Sequence, residues 1–581
     1  MDNHLDLLLS ELNNLISAGK FELALSQMKS WLDGLASDFR LHGRVFSSND
    51  LDQLCLKIGQ CVLGNRVKRN NGNSVNCSAV FIASELYLTG GHTKVLKDYI
   101  RALKRLDMKV LVIDPADKVN DFQIIEYFAD LPAEIRFSPK FTSLLTKLEW
   151  LIENLILLDA KEIYLFNHAN DPVAVAAMQV ELVPSPIFVH HCDHTFTLGI
   201  HIPNSRHLDF RERGFDNCRN NLGITNNTIY PLVAPDLGCP PADERFFANG
   251  KLHTCTSGSY KFEAPYAFHL ATELPKWLKT TGGIHTHIGE LSAETTNTIR
   301  NMLNRYGISQ DNFKVIPFVQ SLWTGLISEQ IDLYIDSFPI GGAHSIVEAM
   351  GAGIPITVHH NYVTPMWSNV GYVYPEAKVW QQPIELEHWL AQLDKKTLSS
   401  QSKLARQYYL THHHPDQLPQ ALSKTEKEFR TEPGKPQAPV YETNSLRAFM
   451  DQFLPIPLTP KRHKELLSQF LACLSIGSVS GIEIDILLKD YLSPSDFNLF
   501  TDLIAEIKSK SKAIDILDDI HPILNDRGIV DLERFTKFLY QTATINGNGN
   551  KSKQIALSPK IKAKLLYYRL KSKWQSLIKV D

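Results

Sequence analysis

The sequence predicts an α/β protein with two parallel-sheet domains and additional helical regions at both ends. Short runs of apolar and β-branched residues alternate with stretches of helical periodicity, which is typical of parallel strands joined by crossover helices. This alternation stops near residues 236–250, where prolines are frequent, and then begins again. At 581 residues the chain is also too long for a single core. We therefore expect two α/β domains facing a cleft.

The chain divides into four predicted regions. Leu5, Leu8, Leu12 and Ile16 recur at helical spacing, so the first region is predicted to be helical. Prolines and polar residues over 432–444 predict a linker. In order, the regions are a helical N-terminal region (1–70), a first α/β domain (71–240), a second α/β domain that ends in a returning helix (241–430) and a helical C-terminal module with a basic tail (445–581).

The predicted strands are the apolar runs that lie between turn residues. Those of the first domain cover residues 79–83, 109–115, 162–168, 186–191 and 228–233. Those of the second domain cover residues 251–259, 282–289, 313–319, 331–339 and 354–360. Because ligands bind beyond the carboxyl ends of parallel strands, residues at those ends are the candidates for a functional site.

Composition and charge exclude several classes of protein. A formal net charge of −3 argues against a nucleic-acid partner, which would require a basic excess to neutralise phosphates. The eight cysteines form no CxxC pair, which favours a reducing compartment over a disulfide framework. The N-terminal sequence lacks the pattern of a signal peptide, and no apolar run is long enough to span a bilayer. We therefore expect a cytoplasmic protein.

The segment from Ile331 to Ile356 is the most informative part of the chain. An apolar strand is followed by a turn with Gly341 and Gly342, and then by a short helix that carries Glu348. Glycines allow backbone amides to approach an anion, and a helix N-terminus adds partial positive charge. A carboxylate one turn further along can accept hydrogen bonds from ribose hydroxyls. The segment predicts a nucleotide-sugar pocket, and the alternative is an ordinary strand–turn–helix.

This segment resembles the C-terminal signature of GT-B glycosyltransferases, which have two Rossmann-like domains. In family 4 the signature has two glutamates, of which the second matches Glu348, whereas the first would fall at Ile340. Family 41 has a looser version with an aspartate before a proline, and Asp336 and Pro339 resemble it. The resemblance implies that the diphosphate of a donor binds the backbone of residues 341–345, which are Gly341, Gly342, Ala343, His344 and Ser345.

Two further turns resemble donor-binding elements of the same enzymes. Gly90 and Gly91 open a helix, and this turn resembles the GG-x-x-x-x-V-x-x-L pattern of family 4 with Val95 one position earlier, although a glycine turn can also serve packing alone. The second turn follows the first strand of the second domain, where GT-B enzymes place a basic pair against the diphosphate. It contains Gly258, Ser259 and Lys261, with serine where arginine is usual. A solvated surface lysine is the alternative for Lys261.

Phe318 is a candidate for contact with the nucleobase. It follows the strand whose end passes the base in this fold, and a core phenylalanine is the alternative.

Histidines gather at two strand ends of the first domain, which would face the acceptor. His168 ends one strand, and Asp193 and His194 follow the next. A histidine there can act as a general base or can hold sugar hydroxyls. Zinc bound by these histidines with Cys192 is disfavoured, since adjacent strand residues point to opposite faces. The predicted catalytic residues are His194, Asp193 and His168, with no metal.

The resemblance implies a hexosyltransferase that uses a nucleotide sugar, with UDP-glucose and retention of configuration as the narrowest expectation. The acceptor would be a glycan or glycoprotein, such as N-linked glucose extended by the bacterial cytoplasmic α-1,6-glucosyltransferases. The alternatives are an inverting protein glycosyltransferase similar to family 41, and a catalytically silent GT-B scaffold. No cofactor or metal is expected. A basic helix over 560–579 predicts contact with a membrane or an acidic partner, or docking on its own protein.

Overall fold

The computed structural model describes residues 4–37, 42–64, 66, 77–88, 91–114, 121–140, 142–242, 245–264, 266–361 and 364–423. Within the described part of the chain, residues 4–34 belong to one compact unit and residues 35–423 to another. The predicted C-terminal module, including the basic helix over 560–579, lies outside the described residues. No helix within the described ranges is long and apolar enough to cross a membrane.

Three helices precede the first strand. They are α1 (His4–Ser17), α2 (Phe21–Ser37) and α3 (Asn49–Leu63). The apolar residues of the α1 pattern, Leu5, Leu8, Leu12 and Ile16, are all buried. In the second unit, the buried carboxylate of Asp52 on α3 accepts hydrogen bonds from the amides of Gly199 (2.6 Å) and His201 (2.9 Å). These bonds attach α3 to the first α/β domain.

The first sheet has seven parallel strands in the order β3-β2-β1-β4-β5-β6-β7. The strands are β1 (Val80–Ala83), β2 (Met108–Val112), β3 (Ala133–Phe137), β4 (Ile163–Phe166), β5 (Ile187–His190), β6 (Arg206–Asp209) and β7 (Asn227–Ile229). The helices of this domain are α4 (Gly91–Leu103), α5 (Asp121–Tyr127), α6 (Leu144–Leu158), α7 (Pro172–Ala176) and α8 (Glu212–Asp216), and α8 continues into a π-helical turn (Asn217–Asn221). The strand order reverses between β1 and β4, which is where such sheets bind ligands.

The prediction from periodicity missed β3 and β6. β3 is an edge strand whose Glu134 and Arg136 break the apolar run. β6 has the sequence Arg-His-Leu-Asp, and its His207 and Asp209 are fully buried. Buried polar residues are the exception in strands. They need hydrogen-bond partners from other parts of the fold, which the local sequence does not show.

The second sheet has six parallel strands in the order β10-β9-β8-β11-β12-β13. The strands are β8 (His253–Ser257), β9 (Ile284–Ile288), β10 (Phe313–Ile316), β11 (Leu333–Ile335), β12 (Ile356–His359) and β13 (Lys378–Trp380), of which the sequence missed only the short edge strand β13. The helices are α9 (Leu270–Thr281), α10 (Ala293–Tyr306), α11 (Leu322–Ser328), α12 (Ala343–Gly351), α13 (Pro383–Ala391), α14 (Lys395–His412) and α15 (Gln417–Ser423). This strand order also reverses next to its first strand, between β8 and β11.

After the second sheet the chain returns to the first domain. The hydroxyl of Tyr409 on α14 donates a hydrogen bond to the carbonyl of Ala234 (2.8 Å), and His413 Nδ1 lies 2.8 Å from the carbonyl oxygen of Leu232. α15 then packs on α4. Two doubly wound parallel sheets joined in this way form the two Rossmann-like domains of a GT-B fold. The predicted fold class is confirmed.

The position of α12 depends on close packing against α11. A Cβ atom added to Gly351, the last residue of α12, would lie 1.9 Å from Cζ3 of Trp323 on α11. This indole is 1% exposed, and its Nε1 donates a hydrogen bond to the carbonyl of Gly238 (2.7 Å). The ring therefore has no room to move aside, and the helix must end in a residue without a side chain at this point.

We expect Gly351→Ala to lower the free energy of unfolding by about 1–3 kcal/mol, because the added methyl overpacks the helix contact. The measurement is urea unfolding followed by tryptophan fluorescence and far-UV circular dichroism. The matched control is Gly325→Ala on α11, where the nearest atom to an added Cβ would be 3.4 Å away. That variant should be neutral or slightly stabilising, since alanine favours a helix. Equal stability of the two variants would contradict the packing argument.

Candidate functional site

A cavity of about 470 Å³ lies between the two Rossmann-like domains, at the carboxyl ends of their strands. The first domain contributes Leu88, Gly91 and Lys94, and the second contributes the remaining walls. The residues that the sequence predicted for donor binding and that line the cavity are Gly91, Gly258, Ser259, Phe318, His344, Ser345 and Glu348. Segments separated by more than two hundred residues in the chain thus meet around one space. Gly90 lies outside the described residues.

Glu348 is the charged centre of this cavity. Its side chain is 9% exposed, and its Oε2 lies 3.1 Å from Lys94 Nζ and 3.3 Å from His344 Nδ1. Burial raises the pKa of Glu348, but the hydrogen bond with His344 and the positive charge of Lys94 outweigh it and lower that pKa to about 2. The carboxylate is therefore charged at neutral pH and points into a cavity of ligand size.

Sequence reasoning missed Lys94. This residue lies in the first turn of α4, three positions after Gly91, and its ammonium joins the first domain to α12 of the second. The feature of the sequence that could have identified Lys94 is a basic residue in the first turn of a helix that begins with glycine. Its partner lies 254 positions away in the sequence, so only the fold brings the two together.

The turn before α12 is built around the carboxylate of Asp336. Asp336 is 1% exposed, and its Oδ1 accepts hydrogen bonds from the amides of Ser337 (2.9 Å) and Gly342 (3.0 Å). Its Oδ2 accepts a bond of 2.6 Å from Asn369 Nδ2. Burial raises the pKa of Asp336 to about 6, although these three bonds favour the charged form. Asp336 thus holds the turn rather than a ligand.

Gly341 and Gly342 serve the turn differently from the sequence expectation. The amide of Gly341 donates to the carbonyl of Trp367 (2.7 Å), and that of Gly342 donates to Asp336, so both are already paired. An added Cβ would lie 2.4 Å from Asn369 Nδ2 at Gly341 and 2.3 Å from Ser345 Oγ at Gly342. The first-turn amides of α12, at Ala343, His344 and Ser345, are left to face an anion.

Lys261 lies beside this turn. Its Nζ donates a hydrogen bond of 3.0 Å to the carbonyl of Gly341. Burial lowers the pKa of Lys261, whereas the nearby Asp336 carboxylate raises it. Lys261 is half-buried, and this hydrogen bond beside the N-terminus of α12 argues against the alternative of a freely solvated surface lysine.

Phe318 lies on the loop after β10 and lines the cavity, and its side chain is 58% exposed. A core position for Phe318, the alternative from sequence, is therefore wrong. Glu290 and Gln320 line the same wall and were not predicted. An exposed aromatic ring at the rim of a polar cavity provides a face on which a planar base can stack.

Asp193 and His194 follow β5 in the first domain and do not line the cavity. Asp193 is 6% exposed and forms a two-pronged ion pair with Arg211, in which Arg211 Nε lies 2.7 Å from Asp193 Oδ2 and Nη2 contacts Oδ1. Arg211 also reaches the second domain, at the carbonyl of Met366 (3.3 Å). Asp193 is thus committed to an ion pair that orients Arg211.

His194 has an environment suited to a neutral imidazole. Burial lowers the pKa of His194 well below its usual range, and the nearby His42, Arg211 and Lys261 lower it further. A neutral ring has one nitrogen able to accept a proton. The ring of His42 lies 6.1 Å from that of His194 and 6.1 Å from that of Trp367, whose carbonyl accepts the Gly341 amide. His194 is therefore near the turn before α12, where the predicted donor and acceptor sides meet.

His168 belongs to a group of aromatic and imidazole rings in the first domain. Its ring stacks on Tyr87 with centroids 5.9 Å apart, and it lies 5.1 Å from the ring of His92. His92 in turn lies 4.5 Å from His191. Burial lowers the pKa of both His92 and His191 to about 3, so these two rings are neutral. The sequence placed His168 near the donor sugar and Asp193 and His194 on the acceptor side; in the structure His168 does not line the cavity.

No family profile and no curated protein matches this sequence. Solved structures with a similar fold include HepE of Anabaena in complex with UDP and glucose, at 12% identity and a TM-score of 0.46, covering 60% of this chain and 100% of that one. WaaG, a glycosyltransferase involved in lipopolysaccharide biosynthesis, has 12% identity and a TM-score of 0.40 over 61% of this chain and 100% of its own. A Thermobaculum terrenum O-GlcNAc transferase has 14% identity and a TM-score of 0.42 over 71% of this chain and 82% of its own. These structure neighbours are GT-B glycosyltransferases.

We expect Glu348→Gln to destabilise the protein at neutral pH and to cost less stability in acid. The folded-state pKa of Glu348 is about 2, below its usual 4.5, so the charged form contributes stability above the higher value and loses it as the pH falls towards the lower one. Urea unfolding of both proteins across this range should show their stabilities converging.

The matched control for this measurement is Glu290→Gln, which removes another carboxylate from the cavity wall. Its effect on the free energy of unfolding at neutral pH should be smaller than that of Glu348→Gln. A stability gap for Glu348→Gln that stays constant down to about pH 3 would contradict the assigned ion pair.

Proposed function

We propose that this protein is a glycosyltransferase that moves a hexose from a nucleotide diphosphate sugar to a hydroxyl group of its acceptor. The observation that carries the proposal is the placement of Glu348 in the interdomain cavity, beside the first-turn amides of α12. A carboxylate for ribose and an electropositive helix end for the diphosphate are the two parts of a nucleotide-sugar site.

Glu348 would hold the ribose through Oε1. Its contacts with Lys94 and His344 both end on Oε2, so Oε1 has no hydrogen-bond partner among the described residues. The ion pair keeps the carboxylate charged and fixes its rotamer, which strengthens its bonds to hydroxyl donors. The base would then lie towards Phe318, which lines the same cavity.

The diphosphate would lie against the amides of Ala343, His344 and Ser345. Gly258 and Ser259 line the cavity, while Lys261 lies behind the turn. When the bond between the anomeric carbon and the phosphate oxygen breaks, the departing diphosphate gains negative charge. The helix N-terminus and the Lys261 ammonium stabilise that charge more strongly in the transition state than in the bound donor.

We further propose that the donor is UDP-glucose, that transfer proceeds with retention, and that the acceptor is a glycan or glycoprotein such as N-linked glucose extended through an α-1,6 bond. The support is the resemblance of the Glu348 segment and of the Gly91 helix to family 4. In this reaction the acceptor oxygen attacks the face that the phosphate leaves, and a phosphate oxygen takes the acceptor proton. No protein base is then required.

An inverting transferase similar to family 41 is the second candidate, and His194 favours it. Inversion needs a base that removes the acceptor proton, and a neutral imidazole beside the cleft meets this need. The position of Ile340, where family 4 has a glutamate, also fits this alternative. A scaffold that binds nucleotide sugars without transfer would share the cavity but turn over no donor.

We expect Glu348→Ala to weaken binding of UDP-glucose by about 10- to 100-fold, the value of one or two hydrogen bonds to a charged group. Thermal shift against a panel of nucleotide sugars measures binding, and transfer to a glycosylated peptide measures activity. Glu329→Ala is the matched control, because Glu329 pairs with Lys314 away from the cavity. Wild-type protein that binds a donor without turnover would indicate the scaffold, and full activity of Glu348→Ala would show that the site is wrong.

The anomeric configuration of the product, read by NMR, separates the two mechanisms. Retention predicts an α-linked product from the α-linked donor, with His194→Ala reducing kcat by less than about tenfold. Inversion predicts a β-linked product and a loss of about 100-fold or more for the same variant. A β-linked product would overturn the retaining proposal.

A further inference from the structure

Four side chains converge inside the first domain, near the carboxyl ends of β5 and β6. His190 is the last residue of β5, and the strand register pairs it with Asp209 at the end of β6. His207 lies two residues before Asp209, so both point to the same face of the sheet. Cys218 reaches them from the π-helical turn that follows α8. We call these residues the His190 cluster (His190, His207, Asp209 and Cys218).

The facing atoms of the cluster form a nearly regular tetrahedron. His190 Nδ1 and His207 Nε2 lie 3.0 and 3.2 Å from Asp209 Oδ1 and 3.2 Å from each other. Cys218 Sγ lies 3.4 Å from each nitrogen and 3.5 Å from the oxygen. A tetrahedron with edges of this length has its centre about 2.0 Å from each corner, close to the lengths of zinc bonds to nitrogen and oxygen and slightly short of a bond to sulfur.

The cluster is completely enclosed by protein. The exposed fractions are 1% for His190 and 0% for His207, Asp209 and Cys218. A carboxylate buried to this degree is costly unless cations or strong donors neutralise it. A divalent cation bound by one carboxylate and one thiolate gives a site with no net charge.

Hydrogen bonding within the cluster leaves the two imidazoles in conflict. Both inward nitrogens face Asp209 Oδ1, which favours a proton on each, yet they also face each other at 3.2 Å. Two N–H donors at that distance repel, and the weak thiol donor of Cys218 points into the same space. A cation at the centre would replace these protons and would accept one lone pair from each of the two nitrogens, the oxygen and the sulfur.

We propose that the His190 cluster binds one structural zinc ion. Imidazole, thiolate and carboxylate are the ligands that zinc takes in tetrahedral sites, and four protein ligands leave no position for water or substrate. This proposal does not depend on the proposed transferase activity. It departs from the sequence expectation of no metal, which rested on the absence of metal spacing, on the family resemblance and on the opposite faces of adjacent residues beside Cys192.

The surroundings of the cluster provide outer hydrogen bonds for one of the four side chains, Asp209, whereas the outward nitrogens His190 Nε2 and His207 Nδ1 have no hydrogen-bond partner among the described residues. Asn227 Nδ2 donates to Asp209 Oδ2 (2.9 Å) and to the carbonyl of Phe215 (2.9 Å). Arg219 Nε donates to Asn227 Oδ1 (3.1 Å). Asp209 is thereby held with Oδ1 turned towards the cluster, as the outer shell of a metal site requires.

The ion would fix the positions of the loops after β5 and β6, on the acceptor side of the cleft. Asp193 follows His190 by three residues and Arg211 follows Asp209 by two, so the metal would fix both ends of the Asp193–Arg211 ion pair. His191, next to His190, points to the opposite face and contacts the ring of His92. In the sequence, the alternation of side chains along a strand argued against zinc at adjacent histidines. In the structure, the same alternation turns His190 towards the proposed ion and His191 away from it.

The first test is the metal content of the full chain, purified without chelators or metal-affinity resin and measured by inductively coupled plasma mass spectrometry. We expect about one zinc ion per chain, falling below about a tenth in Cys218→Ser. The matched control is Cys255→Ser, which alters a fully buried cysteine of β8 outside the cluster and should keep its zinc. Zinc that persists in Cys218→Ser would overturn the proposal.

The second test is cobalt substitution of the wild-type protein, which does not depend on a variant folding. Tetrahedral Co²⁺ with one thiolate ligand should give intense visible bands and a near-ultraviolet thiolate charge-transfer band. Asp209→Asn should weaken cobalt binding but keep the thiolate band, whereas Cys218→Ser should lose it. Wild-type protein with neither zinc nor a tetrahedral cobalt spectrum, or cobalt bound without a thiolate band, would overturn the site.

Discussion

The buried carboxylate of Asp336 is the constraint on which the geometry of the cleft depends. It binds the amides of Ser337 and Gly342, and through Asn369 it is linked to Arg211, whose Nη1 lies 3.5 Å from Asn369 Oδ1. Arg211 in turn holds Asp193 in the first domain. A single buried charge therefore shapes the turn before α12 and connects it to the opposite side of the cleft. Because each group satisfies its neighbour, the network is rigid without any contribution from a ligand.

Each of the two lysines near α12 has a carboxylate close to it. Lys94 from the first domain meets Glu348, and Lys261 lies next to the Gly341 carbonyl and Asp336. Glu348 pairs directly with Lys94, and the charge of Asp336 partly offsets the cost of burying the Lys261 ammonium. The cleft therefore keeps both signs of charge in place, since the Glu348 carboxylate and the electropositive N-terminus of α12 line the same cavity. This arrangement suits a ligand that combines hydroxyl groups with a diphosphate.

The sequence predicted most of the architecture because parallel strands are continuous apolar runs. It failed at β3, where an edge position tolerates Glu134 and Arg136, and at β6, where His207 and Asp209 are buried as polar residues. It identified the turn at Gly341 and Gly342 but not the partners that occupy their amides. It also left two alternatives for Phe318, an exposed position at the cleft and a core position. The sequence could not decide between them, because the exposure of a side chain depends on tertiary packing.

The sequence by itself determined the α/β class, the break between two domains and the glutamate helix after β11, because each depends on local periodicity and on glycine in turns. The tertiary structure alone decided that Lys94 meets Glu348, that Asp193 is committed to Arg211, and that His190 shares a tetrahedral space with Cys218. These contacts join residues from different strands and domains. Their energies depend on distance and burial, and neither quantity is defined until the chain has folded.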